Sequence, residues 1–200
     1  MERAGLAARV ARAMTPATTP AGRDSQLQTA LIGLAFLIGA AVFVVSSGSW
    51  FDTFQTVHVM FVVIWVGGGA ALTILGIVAE TKSDGVQLAA IARQAAFLGQ
   101  RVFAPSAIVV VVMGAAMVEN AHIGYGHFWV VFGLLGFLTT FVLGVAVLTP
   151  MSAKVSAIIT EQGPETPEAK AAIARILLIA RADVAMLLLV IVDMVAKPFS

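Results

Sequence analysis

The chain has no cysteine. That excludes disulfides, thiolate metal sites and thiol redox chemistry. Charge is scarce as well: Lys, Arg, Asp and Glu make up 12% of the 200 residues, about half the usual share of a water-soluble domain. Too few polar side chains are available to cover a water-facing surface. The net charge of +1 says little by itself, and no nucleic-acid partner is expected. Nucleotide loops, catalytic triads and metalloprotease motifs are missing too, so the sequence fixes no reaction and leaves open whether the protein is an enzyme.

What the chain does have is apolar length. Sixty per cent of it is hydrophobic, gathered into uncharged runs near the length a bilayer requires. The expected fold is all-α: a multi-pass transmembrane helix bundle of about five spans, set in a bacterial inner membrane with lipid as its immediate surroundings. Residues 1–24 read as a disordered basic cytoplasmic tail and linker, with Arg3, Arg9 and Arg12 followed by the Pro/Thr-rich stretch Thr15 to Gly22. Residues 25–200 read as one transmembrane domain. Asp24 or Ser25 would cap the first span, Leu27 to Val45.

The second span is expected from about Thr53 to Ala79, the third from about Val102 to Val118, and the fourth from Phe128 to Thr149. A polar stripe of Gln87, Gln94 and Arg101 marks a surface helix leading into the third span, where Pro105 starts a new helix or kinks this one. Thr166, Pro167 and Glu168 form a cap, a first-turn proline and a first-turn acid. They predict a last helix from Pro167 to about Ala196, whose Arg181 and Asp183 lie near the inner interface and snorkel. Five spans with the N-terminus cytoplasmic put eleven of the twelve Lys and Arg residues inside and only Lys197 outside. The C-terminus is therefore expected to be extracytoplasmic.

The same topology collects all three histidines, His58, His122 and His127, at the outer side. Imidazole is the commonest metal or haem ligand, so these three are candidate ligands for copper, zinc or haem iron. Set against this, His122 and His127 lie in a glycine-containing loop and read first as exposed histidines with no ligand role, and Asp193 reads as the ion-pair partner of Lys197 at i, i+4. His58 opens an uncharged span, where an ionisable group needs a partner. Asp52, Glu119 and Asp193 are its candidate partners if no metal binds. Trp65 follows seven residues later, on the same helical face. Gly67, Gly68 and Gly69 in this span, and Gly133 and Gly136 in the fourth, are small positions for close helix packing.

His58 followed by Trp65-Val66-Gly67-Gly68-Gly69 resembles the His…Trp-x-Gly-Gly element of several bacterial multi-span families. Among these are the copper-resistance D-type proteins and the haem-associated J-type protoporphyrinogen oxidases. Over residues 30–198 the chain is most similar to the predicted integral membrane proteins of the domain-of-unknown-function class numbered 2269. Met194-Val195-Ala196-Lys197-Pro198 matches that ending, and Arg101 to Pro105 and Gly114 are similar too. The resemblance implies a cofactor role for His58. No second mid-helix histidine accompanies it.

Three readings follow. The first is a membrane protein acting through helix packing or through binding a partner, either a second copy or another membrane protein. The second is a haem- or copper-binding oxidoreductase with His58 as ligand. The third is a small transporter, which the scarcity of charge at the span midplanes disfavours.

Overall fold

The computed structural model describes residues 21–46 and 48–199, and the tail and linker expected to be disordered lie, up to residue 20, outside them. The described residues are helical and contain no strand. The chain divides into two units, Met1–Gly48 and Ser49–Ser200. The first holds α1, Ala21–Ser46. This helix takes in Asp24 and Ser25, so neither caps it, and its apolar stretch is Leu31–Val42.

The second unit holds α2 (Trp50–Thr81), α3 (Gly85–Asn120), α4 (Phe128–Gln162) and α5 (Pro167–Ala196). Short connections make consecutive helices antiparallel. Each start has a sequence cause. The Ser49 hydroxyl accepts from the Asp52 N–H, Asp84 accepts from Gln87 N–H at 2.9 Å, and Thr166 accepts from Ala169 N–H ahead of Pro167. α5 ends where Lys197 turns left-handed (φ 45°) before Pro198.

Among the described residues, three helices, α2, α3 and α4, are long and apolar enough to cross a membrane. α5 has the length but carries Arg181, Asp183 and Asp193. The three are also longer than the sequence suggested, at 32, 36 and 35 residues. At 1.5 Å per residue they reach about 48–54 Å, against roughly 30 Å of hydrocarbon. The surface helix expected before the third span and the span itself are one element, α3.

Pro105, expected to start a new helix or kink this one, and Pro150 both lie inside continuous helices. α3 passes into a π turn at Gly99–Phe103 just before Pro105, and α4 into one at Leu143–Leu148 just before Pro150. A proline ring clashes with the carbonyl four residues back and offers that carbonyl no N–H. A widened turn moves that carbonyl away. In α4 the Thr149 hydroxyl donates to the Gly144 carbonyl, five residues back, at 2.9 Å. α2 has a third π turn, Val63–Gly67, with no proline after it.

Glycines set the close helix approaches. A Cβ on Gly68 of α2 would stand 2.6 Å from the Phe103 ring of α3, and one on Gly76 would stand 2.9 Å from Leu177 of α5. Gly133 and Gly136 of α4 lie against Met194 and Val190 of α5, and Gly99 of α3 lies against Thr149 of α4. Gly67 and Gly69 face open space.

Two apolar clusters close the ends. At one end Val118, Trp129 and Val130 gather with Ile123 and Met194. At the other, Ala92 of α3, Val155, Ile158 and Ile159 of α4, and Ala169, Ile173 and Leu177 of α5 form a three-helix core. Around it Arg93, Lys154, Lys170 and Arg175 are exposed, and Lys170 pairs with Glu165 at 2.8 Å. This end thus has an apolar interior ringed by exposed charges, and we call it the head.

Candidate functional site

The three π turns stand at one level of the bundle. Gly68, just after the turn of α2, meets Phe103 inside the turn of α3, and Gly99, which opens that turn, meets Thr149 at the end of the turn of α4. Between them lies a cavity of about 140 Å³, walled by α2, α3, α4 and α5. Its lining is mostly apolar, with Trp65, Phe103, Phe141 and Leu187 among the large side chains.

Asp183 of α5 is the one ionisable side chain in that wall, and its Oδ1 is buried without a hydrogen-bond partner. Arg181, two residues away, turns elsewhere and donates to Glu80 of α2 at 3.3 Å. Side chains lean toward the N-terminus of their own helix, so on antiparallel α2 and α5 these two lean toward each other. Snorkelling was expected of both Arg181 and Asp183. Arg181 reaches the surface, whereas Asp183 faces the cavity. The sequence signal was weak, because Asp183 lies beside Arg181 and so resembles the border of a span.

His58 does not line this cavity. Its Nδ1 donates to the Val110 carbonyl of α3 at 2.8 Å. Inside a helix that carbonyl already accepts from residue 114, and its second lone pair is accessible only where the side chains above it are small. Gly114 supplies the opening, since a Cβ there would stand 3.2 Å from His58 Cε1 and 3.3 Å from Nδ1. The partner of His58 is thus a backbone carbonyl, not Asp52, Glu119 or Asp193. Trp65 faces a different neighbour, packing edge-on against Phe137 of α4 with centroids 5.6 Å apart. The π turn begins between His58 and Trp65, so the seven-residue spacing no longer returns both to one face.

The loop histidines stay apart from this. His122 is exposed and left-handed (φ 55°), with Nδ1 3.2 Å from the Asn120 carbonyl, and His127 is exposed at the start of α4. Among the described residues no three His, Cys, Asp or Glu side chains gather as a metal site would require. For haem iron the chain offers one held imidazole. Beside His122, the Glu119 carboxylate accepts a hydrogen bond from Tyr125 and raises that phenol above its ordinary range.

At the same end Asp193 is buried, with Oδ2 unpartnered. The expected Asp193–Lys197 ion pair does not form. Lys197 leaves the helix in a left-handed turn, and its ammonium lies 5.1 Å from the centroid of the Trp129 ring.

Residues 52–198 match the family model described as predicted integral membrane protein, DUF2269, and the chain belongs to that family. No curated protein and no solved structure matches it.

Proposed function

We propose that the chain is a five-span inner-membrane protein that works by presenting its three-helix head to a partner at the cytoplasmic face, the partner being a second copy or another membrane protein. The head core carries this reading. Helices of about 50 Å cannot be covered by about 30 Å of hydrocarbon, and the excess falls where Ala92, Val155, Ile158, Ile159, Ala169, Ile173 and Leu177 build a core of their own. A core inside and charges outside suit water, not lipid. Counting α1 and α5 as spans puts the head on the cytoplasmic side, and eleven of the twelve basic side chains of the chain, those of the tail included, fall on that side. Residues 1–24 are then a cytoplasmic tail, and Gly68, Gly133 and Gly136 serve as packing positions holding the bundle rigid beneath the head.

With no native cysteine, single-cysteine labelling reads cleanly. Glu161→Cys should react with an impermeant maleimide only in inverted vesicles, and Phe199→Cys only in intact spheroplasts. Labelling of Glu161→Cys from outside would overturn the topology. Bismaleimide treatment of Arg93→Cys or Lys154→Cys in membranes should give adducts above monomer mass. Monomer alone at both positions would overturn the partner reading.

A second reading has one supporting observation. With Nδ1–H given to Val110, the free lone pair of His58 is on Nε2, the arrangement in which second-shell bonding orients a metal-ligating imidazole. His58 would supply one axial nitrogen to haem. Purified protein should then show a Soret band that His58→Ala abolishes and His122→Ala leaves intact. Protein that stays folded and colourless after haem reconstitution would sink this reading.

A further inference from the structure

We propose that the cavity between the three π turns binds a small organic cation, an ammonium group on a compact apolar body, with Asp183 as its counter-charge. The void of about 140 Å³ is close to the roughly 150 Å³ apolar cavity known to take up benzene. Its aromatic and aliphatic walls suit a ring or short alkyl body, and a few convergent polar groups would orient it.

Four hydroxyls line the cavity, those of Thr73, Thr140, Thr149 and Ser152, and the three threonines can only accept. The hydroxyls of Thr73, Thr140 and Thr149 donate to the carbonyls of Gly69, Gly136 and Gly144 on their own helices at 2.9, 3.0 and 2.9 Å. Their protons are committed, and what remains toward the cavity is lone pairs. Asp183 adds a carboxylate whose Oδ1 receives no hydrogen bond. The nearest cation along the chain, Arg181, is engaged by Glu80.

A buried carboxylate of this kind calls for a donor that also carries positive charge. An anion would be repelled, and a neutral alcohol would bring one donor and no charge. A metal cation is a poor match. Calcium or magnesium requires about six or more oxygen ligands at roughly 2.0–2.6 Å, and most of this wall is carbon. A primary ammonium brings three donors and a positive charge, which suits a wall whose carboxylate and threonine oxygens accept.

The probe is benzylammonium, with neutral benzyl alcohol and anionic benzoate as matched controls. Each is titrated calorimetrically into protein in lipid nanodiscs, with empty nanodiscs subtracted. Benzylammonium should bind saturably and at least about tenfold more tightly than either control. Asp183→Asn, nearly isosteric, should weaken it by about tenfold or more. Gly69→Leu gives an independent arm. Gly69 lines the cavity with open space where its Cβ would be, so leucine should occupy the void and abolish binding while the thermal midpoint holds. Equal affinity for benzyl alcohol, undiminished binding by Asp183→Asn or by Gly69→Leu, or no uptake by the wild type would each overturn the proposal.

Discussion

His58 commits its Nδ1 proton to a carbonyl that a second helix has left uncovered, and the uncovering is the work of one glycine. The pair makes a sharp prediction. Gly114→Val should force the imidazole off Val110, leaving a half-buried donor unsatisfied and the interface overfilled, at a cost of about 1–3 kcal/mol. In a His58→Ala background the same change should cost much less, because the clashing ring is gone. Thermal unfolding of the four proteins in detergent checks this, and an equal cost in both backgrounds would mean that Gly114 serves some other contact. The need of His58 for a partner was legible in the sequence, since an ionisable group opened an uncharged span. The identity of the partner was not. A backbone carbonyl leaves no mark in a sequence, and only Gly114 marked where one was reachable. Asp183 shows the converse. Its chemistry was plain, but its direction depended on which side of α5 the other helices cover.

At the scale of the element, the glycine run 67–69 separates into three environments. Gly68 touches Phe103 while its neighbours meet nothing within 4 Å, because consecutive helical positions point about 100° apart. Gly68→Leu should therefore destabilise by about 1–3 kcal/mol through overpacking, and Gly67→Leu by no more than about 0.5 kcal/mol. Loss of helical circular dichroism on heating would rank them. Similar midpoints would argue that α2 and α3 part easily at this level. The start of α5 was well marked by Thr166-Pro167, since caps and first-turn prolines act locally. Pro105 was read as a helix start or a kink, and the fourth span was ended at Thr149, just before Pro150. There the sequence shows a residue that breaks an α turn, but not that the helix can continue by widening that turn.

Over the whole molecule, the apolar runs made the membrane class legible and hid the head. Hydropathy measures whether a stretch is apolar enough to cross, and α3 and α4 each satisfy that over part of their length. The same helices then continue past it with Ala92, Val155 and Ile159 turned inward and Arg93 and Lys154 turned outward. A continuous helix joins a segment that hides its polar backbone from lipid to one that hides its apolar face from water. The rules for covering surface reverse along it without a break in the chain, which is why a reading by spans ended too early.

The π turn of α2 has a further consequence, for the length of the gene. Removing one residue from a plain α-helix swings everything beyond it through about 100° and draws it back about 1.5 Å. Near Ile74 such a loss would turn Gly76 away from Leu177 and Glu80 away from Arg181. A π turn, by contrast, already holds one residue more than the α phase of its two flanks requires. At Val63–Gly67, with no proline following, losing the codon for Ile64 would close the turn to ordinary α and leave His58 and Gly76 facing as they do now. Along α2 this is the place where the reading frame carries a spare triplet.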